Sequence, residues 1–182
     1  MGHPLDDLGV LDQFGSTPLP PGYPSDRRTF FSPVDDCHGA LIYLLANAQS
    51  SIDLAMYAFT DVVLCQTIVA AVMRGVKVRL TLDWSQFSSD KEIVKLHDLL
   101  TAAGVDVTIG TSERGQIMHL KSGVIDGTIV FTGSTNWSTS GEELQDNSLT
   151  VFLSPYEAVQ FRARFDGIHA YQKAHPKGEP HD

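Results

Sequence analysis

The sequence predicts an α/β fold built on a mixed, mainly parallel sheet flanked by helices on both faces. Two observations predict it. Between residues 29 and 109, short stretches of alternating hydrophobicity take turns with stretches of helical spacing, and repeated strand–helix units call for parallel pairing. After residue 117, two apolar runs are split only by Asp126-Gly127, a hairpin signal that adds an antiparallel piece.

The elements follow in order. Residues 1–28 are rich in Pro and Gly, show no periodicity and are expected as an extended N-terminal arm. Residues 29–172 form the expected folded domain, and the polar residues 173–182, with Pro176 and Pro180, a flexible tail. Residues 29–32 read as a short strand stopped by Pro33. Residues 35–48 set Leu41, Leu44, Leu45 and Ala48 at helical spacing. Residues 51–59 alternate as a strand through Ile52, Leu54 and Met56. Thr60 or Asp61 can cap a helix through Ile68, Val69, Val72 and Met73 that stops at Gly75. Residues 76–83 alternate again. Ser89-Asp90-Lys91-Glu92 is a capping-box sequence, and the helix behind it aligns Ile93, Leu96, Leu99, Leu100 and Ala103 before Gly104. Strands are expected over 105–109, 119–125, 128–132 and 147–153. A closing helix over 156–171 turns Phe161, Phe165 and Ile168 inward.

Composition bounds the function. The chain has 182 residues, 42% apolar and 19% charged, which suits one globular domain. No run approaches the ~18 apolar residues of a membrane span. The first ten residues carry no Lys or Arg and no apolar core, so no secretory signal is visible. A cytoplasmic setting is the expectation, with export left open. Cys37 and Cys65 are too few for a disulfide framework or a cysteine-built zinc site and read as small core residues. Thirteen basic against 22 acidic residues give a net charge of −9. That argues against a broadly basic nucleic-acid surface and against binding to anionic membranes, but not against a local basic patch.

The chemistry concentrates after residue 117. There is no GxGxxG, P-loop or GxSxG sequence. On a strand, His119 and Lys121 point to one face. A hairpin turning at Asp126-Gly127 returns Ser134 and Asn136 of Gly133-Ser134-Thr135-Asn136 beside them. An imidazole, an ammonium, a hydroxyl and an amide then make a phosphate pocket in which His119 can attack or move protons. The plain alternative is a solvated strand edge. A second match, His175-Pro176-Lys177 followed by Asp182, has no strand pattern and no Gly-Ser-x-Asn behind it, and reads as accidental.

With these residues in view, the sequence resembles the phospholipase D superfamily, in its single-motif, nuclease-like form. His119, Lys121, Asp126, Gly133, Ser134 and Asn136 match the signature of that family, and Phe31-Ser32-Pro33, residues 51–57, Thr60-Asp61 and residues 74–79 look like its N-terminal half. The resemblance implies phosphodiester cleavage by two histidines, one attacking phosphorus to form a phosphohistidine and the other protonating the leaving oxygen. One credible motif copy implies a homodimer with His119 of each chain meeting across a two-fold axis. Lys121 and Asn136 would hold the nonbridging oxygens, and Ser134 would bond phosphate or orient a neighbour. Asp126 belongs to the motif, although its tight turn favours a structural role over a chemical one. A carboxylate before an Asn on the next strand orients the histidine in the family; Asp146 fills that place, with Glu142 and Glu143 as competitors.

The remaining candidates are weaker. Trp137 can line the pocket mouth or pack in the core. Trp84 and Tyr57 fall at strand C-terminal ends, where α/β ligand sites gather. Arg114 precedes the motif and can meet a substrate backbone, and Arg74, Lys77 and Arg79 cluster upstream. His38 and His97 read as surface or core histidines; His3, His169 and His181 show no constellation. Neither metal nor cofactor is expected. The resulting expectation is a metal-independent endonuclease acting on DNA or RNA with little sequence preference, without stable membrane association. A phospholipase D or cardiolipin-type lipid phosphodiesterase is the alternative, and a noncatalytic phosphate-binding module comes third.

Overall fold

The structure, a computed structural model, describes residues 2–177. Seven strands form one sheet: β1 (Arg27–Ser32), β2 (Ser51–Met56), β3 (Lys77–Asp83), β4 (Asp106–Gly110), β5 (Lys121–Ile125), β6 (Ile129–Gly133) and β7 (Asn147–Leu153). Their order is β1-β7-β6-β5-β2-β3-β4. The sheet is mixed as expected, but its balance differs. Only β2–β3 and β3–β4 are parallel, whereas β1–β7, β7–β6, β6–β5 and β5–β2 are antiparallel. Hydrophobic alternation locates strands without naming their neighbours, and β1 crosses to the far edge to pair with β7.

Five α-helices flank the sheet: α1 (Cys37–Ala46), α2 (Val62–Met73), α3 (Trp84–Ser89), α4 (Lys91–Ala102) and α5 (Pro155–Ala174). Leu41 and Leu44 of α1, Leu64 and Ile68 of α2, and Ile93 and Leu96 of α4 bury one face with Ile52, Leu54 and Met56 of β2. On the other face, Ala158, Phe165 and Ile168 of α5 pack on Ala55, Val124 and Val130, with Phe161 partly buried beside them. Caps fix the helix starts. The Asp61 side chain accepts from Leu64 N at 2.6 Å, and Ser154 caps α5 with Pro155 in its first turn. Asp90, not Ser89, caps α4 by accepting from Glu92 N at 2.9 Å, because Ser89 ends the unanticipated helix α3.

The N-terminal residues are not an extended arm. Leu8–Phe14 is a 3-10 helix capped by Asp7, and Leu5, Leu8 and Leu11 are fully buried in the main core. Their spacing of three is the 3-10 period, which neither the helix nor the strand template detects. At the other end α5 extends to Ala174, past the expected boundary. His175 follows it, stacked on Tyr171 at 4.3 Å, while Asp182 and His181 lie outside the described residues.

The β5–β6 hairpin turns through Asp126 (φ 52) and Gly127 (φ 69), both in the left-handed region that a two-residue turn of this type requires. The Asp126 side chain accepts hydrogen bonds from the backbone N–H of Gln49, Ser50 and Ser51, from Ser50 Oγ, and from His3 Nε2 at 2.7 Å. Burial acts to raise its pKa, but these donors overcome it and hold the carboxyl at about 2. Asp126→Ala strands several donors and should cost roughly 2–3 kcal/mol in urea unfolding at pH 7. The folded pKa lies below the unfolded value, so this stabilisation is present above about pH 4 and fades as pH falls toward 2. The gap between wild type and variant should therefore narrow across that window.

Candidate active site

The exit of β2 joins the two motif segments. Tyr57 N donates to Leu120 O at 2.8 Å. One residue on, Trp137 N donates to Ala58 O at 3.1 Å, and Trp137 O accepts from Thr60 N and Asp61 N at 2.8 and 3.1 Å. Residues 57–61 thus hold the His119 segment on one side and the Asn136 segment on the other. In the hairpin, Ser122 pairs with Thr132, which leaves Lys121 and Gly133 at adjoining strand ends.

His119 is exposed and precedes β5 rather than lying within it. Lys121 is buried, at 5% exposure, and its Nζ donates to His119 O at 3.0 Å. Both side chains meet Tyr57: the Lys121 Nζ lies 4.7 Å from the ring centroid, and the imidazole centroid 4.5 Å from it, edge to face. Tyr57 is fixed in turn by Gln86 Nε2, which donates to its hydroxyl at 2.8 Å. A cleft of about 240 Å³ opens beside His119, lined also by Glu113, Ile117, Arg164 and Tyr171.

Asp83, at the end of β3, was not singled out in the sequence. It is buried, and its Oδ2 accepts from Met118 N at 2.6 Å, directly before His119. Its Oδ1 accepts from Ser85 N at 2.9 Å and from Ser85 Oγ. Burial lowers the His119 pKa, the Lys121 charge lowers it further, and Asp83 opposes both. Burial pushes Lys121 down to about 8, again against Asp83. A buried carboxylate that touches backbone beside a motif gives no spacing signal, because it arrives from β3, two strands away from β5 across β2.

Ser134 is exposed on the same end of the sheet. Its Oγ donates to Asn147 Oδ1 at 2.8 Å and accepts from Ser148 N at 3.1 Å. Asn136 is half-buried, and its Oδ1 is buried without a hydrogen-bond partner. Gly133 is a matter of packing: a Cβ there would stand 1.9 Å from Ser148 O. Asp146 is exposed and shares a surface pocket with Ser134, Asn147 and Ser148, and among the described residues it makes no hydrogen bond to His119.

Other expected site residues are placed elsewhere. Asp126 ends the hairpin seven residues from His119, ~20 Å away at ~3.3 Å per residue, so it belongs to construction and not to the pocket. Trp137 is 1% exposed, packed on Phe59 at 4.9 Å and Phe131 at 6.0 Å, so its ring is core and lines no mouth. Trp84 is half-buried, tilted against Phe87 at 6.1 Å, beside Asp83. Arg114 is exposed in the loop between β4 and β5 without an ion pair among the described residues. The upstream basic cluster faces away, because Lys77 starts β3 and Asp83 ends it. Arg79 there is bound to Asp53 at 3.0 Å and Asp166 at 2.7 Å, while Arg74 donates to Leu45 O and Ala48 O. His97 contacts Asp98 and Phe87, and buried His169 bonds Thr108 and Asp106. Glu143 is exposed, but Glu142 is buried beside Asp61, where burial and then the Asp61 charge push it up to about 9.

Residues 41–169 match the family model described as cardiolipin synthase, PLD-like domain. A phospholipase D of Rickettsia prowazekii is 34% identical over 119 residues, covering 65% of this chain and 56% of the relative. A mitochondrial cardiolipin hydrolase of Xenopus tropicalis is 30% identical over 117 residues, covering 64% and 53%. The chain thus spans little more than half the length of these curated relatives. The crystal structure of Nuc, a phospholipase D family member from Salmonella typhimurium, superposes with a TM-score of 0.74 at 22% identity, covering 80% of this chain and 94% of that one. At that identity the likeness speaks for the fold.

Gly133→Ala forces its methyl onto a strand backbone that cannot yield as a side chain would. It should part β6 from β7 and lower stability by roughly 2 kcal/mol or more in thermal unfolding. A variant melting with the wild type would refute the close approach.

Proposed function

The chain belongs to the phospholipase D-like family, and from that premise we propose that it is a metal-independent phosphodiesterase. We propose further that it cleaves nucleic acid, DNA or RNA, as an endonuclease with little sequence preference. The observation that carries the reading is the His119–Tyr57–Lys121 cluster: an exposed imidazole with lowered pKa beside a buried ammonium. At neutral pH such an imidazole is largely uncharged and can attack phosphorus. Lys121, Ser134 and Asn136 hold the nonbridging oxygens, which gain negative charge as attack proceeds. The nitrogen–phosphorus bond forms as the bond to the leaving oxygen breaks, and His119 of a second copy, which enters the reaction as the imidazolium, gives that oxygen its proton. Water, deprotonated by the same second histidine, then releases phosphate from the first. One such cluster per chain makes a homodimer the working unit.

Two points support nucleic acid. The chain carries one credible motif copy, and this format is that of the single-motif nucleases the sequence resembles. Arg114 is also free to meet a substrate backbone. Lipid is the second reading, favoured by the names of the curated relatives and by exposed Ile117 at the cleft. No helix among the described residues is long and apolar enough to cross a membrane.

Labelled DNA, labelled RNA and phosphatidylcholine vesicles, each incubated with the protein in EDTA, decide among these. Nucleic acid should be cut, and His119→Ala should lower kcat/KM by about 10⁴-fold or more with an unchanged fold. Cleavage that needs a divalent metal in His38→Gln as well as in the wild type, with the fold intact in EDTA, would defeat the mechanism, and a fully active monomer in sedimentation would defeat the shared site.

Asp83 is a positioning residue in this scheme, acting through Met118 and on the charge of Lys121. kcat/KM should fall as pH rises through about 8, where Lys121 loses its proton, rather than near the ordinary lysine value. Asp83→Asn removes the opposing charge and should move that basic limb to lower pH. A lower Tm with an unmoved limb would leave Asp83 a purely structural role.

A further inference from the structure

On the far side of the Asn136 loop, three groups converge that the phosphodiester chemistry does not use. His38 stands in the first turn of α1, Asp61 caps α2, and Glu142 lies in the π-helical turn Ser140–Leu144. One ligand atom from each lies within 4.8 Å of the others. Asp61 spends Oδ1 on Leu64 N and leaves Oδ2 facing His38 Nε2 at 3.2 Å. That pair does not have the geometry of a hydrogen bond, and Nε2 has no other partner. Two atoms bound at ~2.0–2.1 Å to one tetrahedral ion stand ~3.3 Å apart, so the separation suits two groups aimed at a common third point. Glu142 is 3% exposed, and its Oε1 is buried with no hydrogen-bond partner. A buried carboxylate is retained when it is paired or coordinates a metal.

We propose that His38, Asp61 and Glu142 bind one divalent first-row metal ion, Zn²⁺ or Mn²⁺, which fastens the 140–144 turn to α1 and α2. The imidazole selects against Mg²⁺ and Ca²⁺, which take oxygen shells of six or more ligands. An adjoining surface pocket, lined by Asp35, Asp36 and Glu143 as well as His38 and Glu142, gives a cation an acidic way in. The ion would be structural. It holds the loop behind Asn136 and takes no part in the reaction at His119, so binding is measured without substrate and stands or falls apart from the phosphodiester reading.

The test uses the whole chain after dialysis against EDTA, titrated with Zn²⁺ or Mn²⁺ by calorimetry and followed by thermal unfolding. One equivalent should bind, and Tm should rise by about 5–10 °C at a hundredfold excess over Kd. Glu142→Gln and His38→Gln should each weaken binding by about 100-fold or more, since even outer-shell partners are worth about 10–100-fold. His119→Ala should bind as the wild type does. Absence of binding and of a Tm shift in the wild type overturns the proposal. So does binding that both substitutions leave intact, or that His119→Ala removes. If Glu142→Gln does not fold, His38→Gln alone decides. A wild type that binds neither ion, with an EDTA-treated Glu142→Gln that melts higher, assigns the cluster to a shared proton.

Discussion

A buried ammonium sets the terms for the rest of this structure. Lys121 has left water almost completely, and the free energy of that desolvation is offset by three partial compensations: the His119 carbonyl, the face of Tyr57 and the field of Asp83. None is a full ion pair. A direct carboxylate contact would neutralise the charge and compete with phosphate, whereas none at all would drive the proton off. The arrangement keeps a cation under-compensated and facing a site that an anion can complete. It also accounts for Tyr57 and Gln86, whose hydrogen bond holds the ring that both His119 and Lys121 rest against.

The net charge of −9 fits that local solution. Long-range steering of a polyanion would favour a basic surface, and most cations of this chain are already committed. Arg28 is buried against Asp12, Arg79 bridges Asp53 and Asp166, and Arg164 holds Glu113. Among the described residues, Lys121 beside His119 and Arg114 in the exposed loop between β4 and β5 make no ion pair. If the substrate is nucleic acid, as proposed, its attraction works at short range, where screening matters less than contact. In the proposed dimer, a second copy would double the excess of negative charge while bringing a second Lys121 to the shared cleft.

The sequence exposed the hairpin and the polar groups it carries because both are local. An Asp-Gly turn between two apolar runs fixes which residues face each other, and Lys121 near Gly133 follows from counting. The groups around them were illegible for a physical reason. Asp83 and Tyr57 reach the site from β3 and β2, through pairing that depends on strand order, and single-chain alternation does not encode that order. Trp137 misled for the converse reason: adjacency to Asn136 suggested the pocket, but its backbone serves residues 58–61 while its ring packs behind them. The buried leucines of the N-terminal segment were masked by prolines and by a period of three.

The motif therefore mixes two kinds of residue, and its fixed spacing comes from the second kind. His119, Lys121, Ser134 and Asn136 present polar groups, while Asp126 and Gly133 present none to the pocket. Asp126 locks the turn to the start of β2, and Gly133 admits the β7 backbone. A slip of one residue between β5 and β6 would send Lys121 to the opposite face of the sheet and replace its charge with a neighbour's side chain. The carboxylate at one end of the hairpin thus governs where Lys121 stands at the other, ~20 Å away, without touching it. The distance between Asp126 and His119 is part of how the motif works, since a turn anchored so far from the pocket can be rigid while the histidine remains exposed.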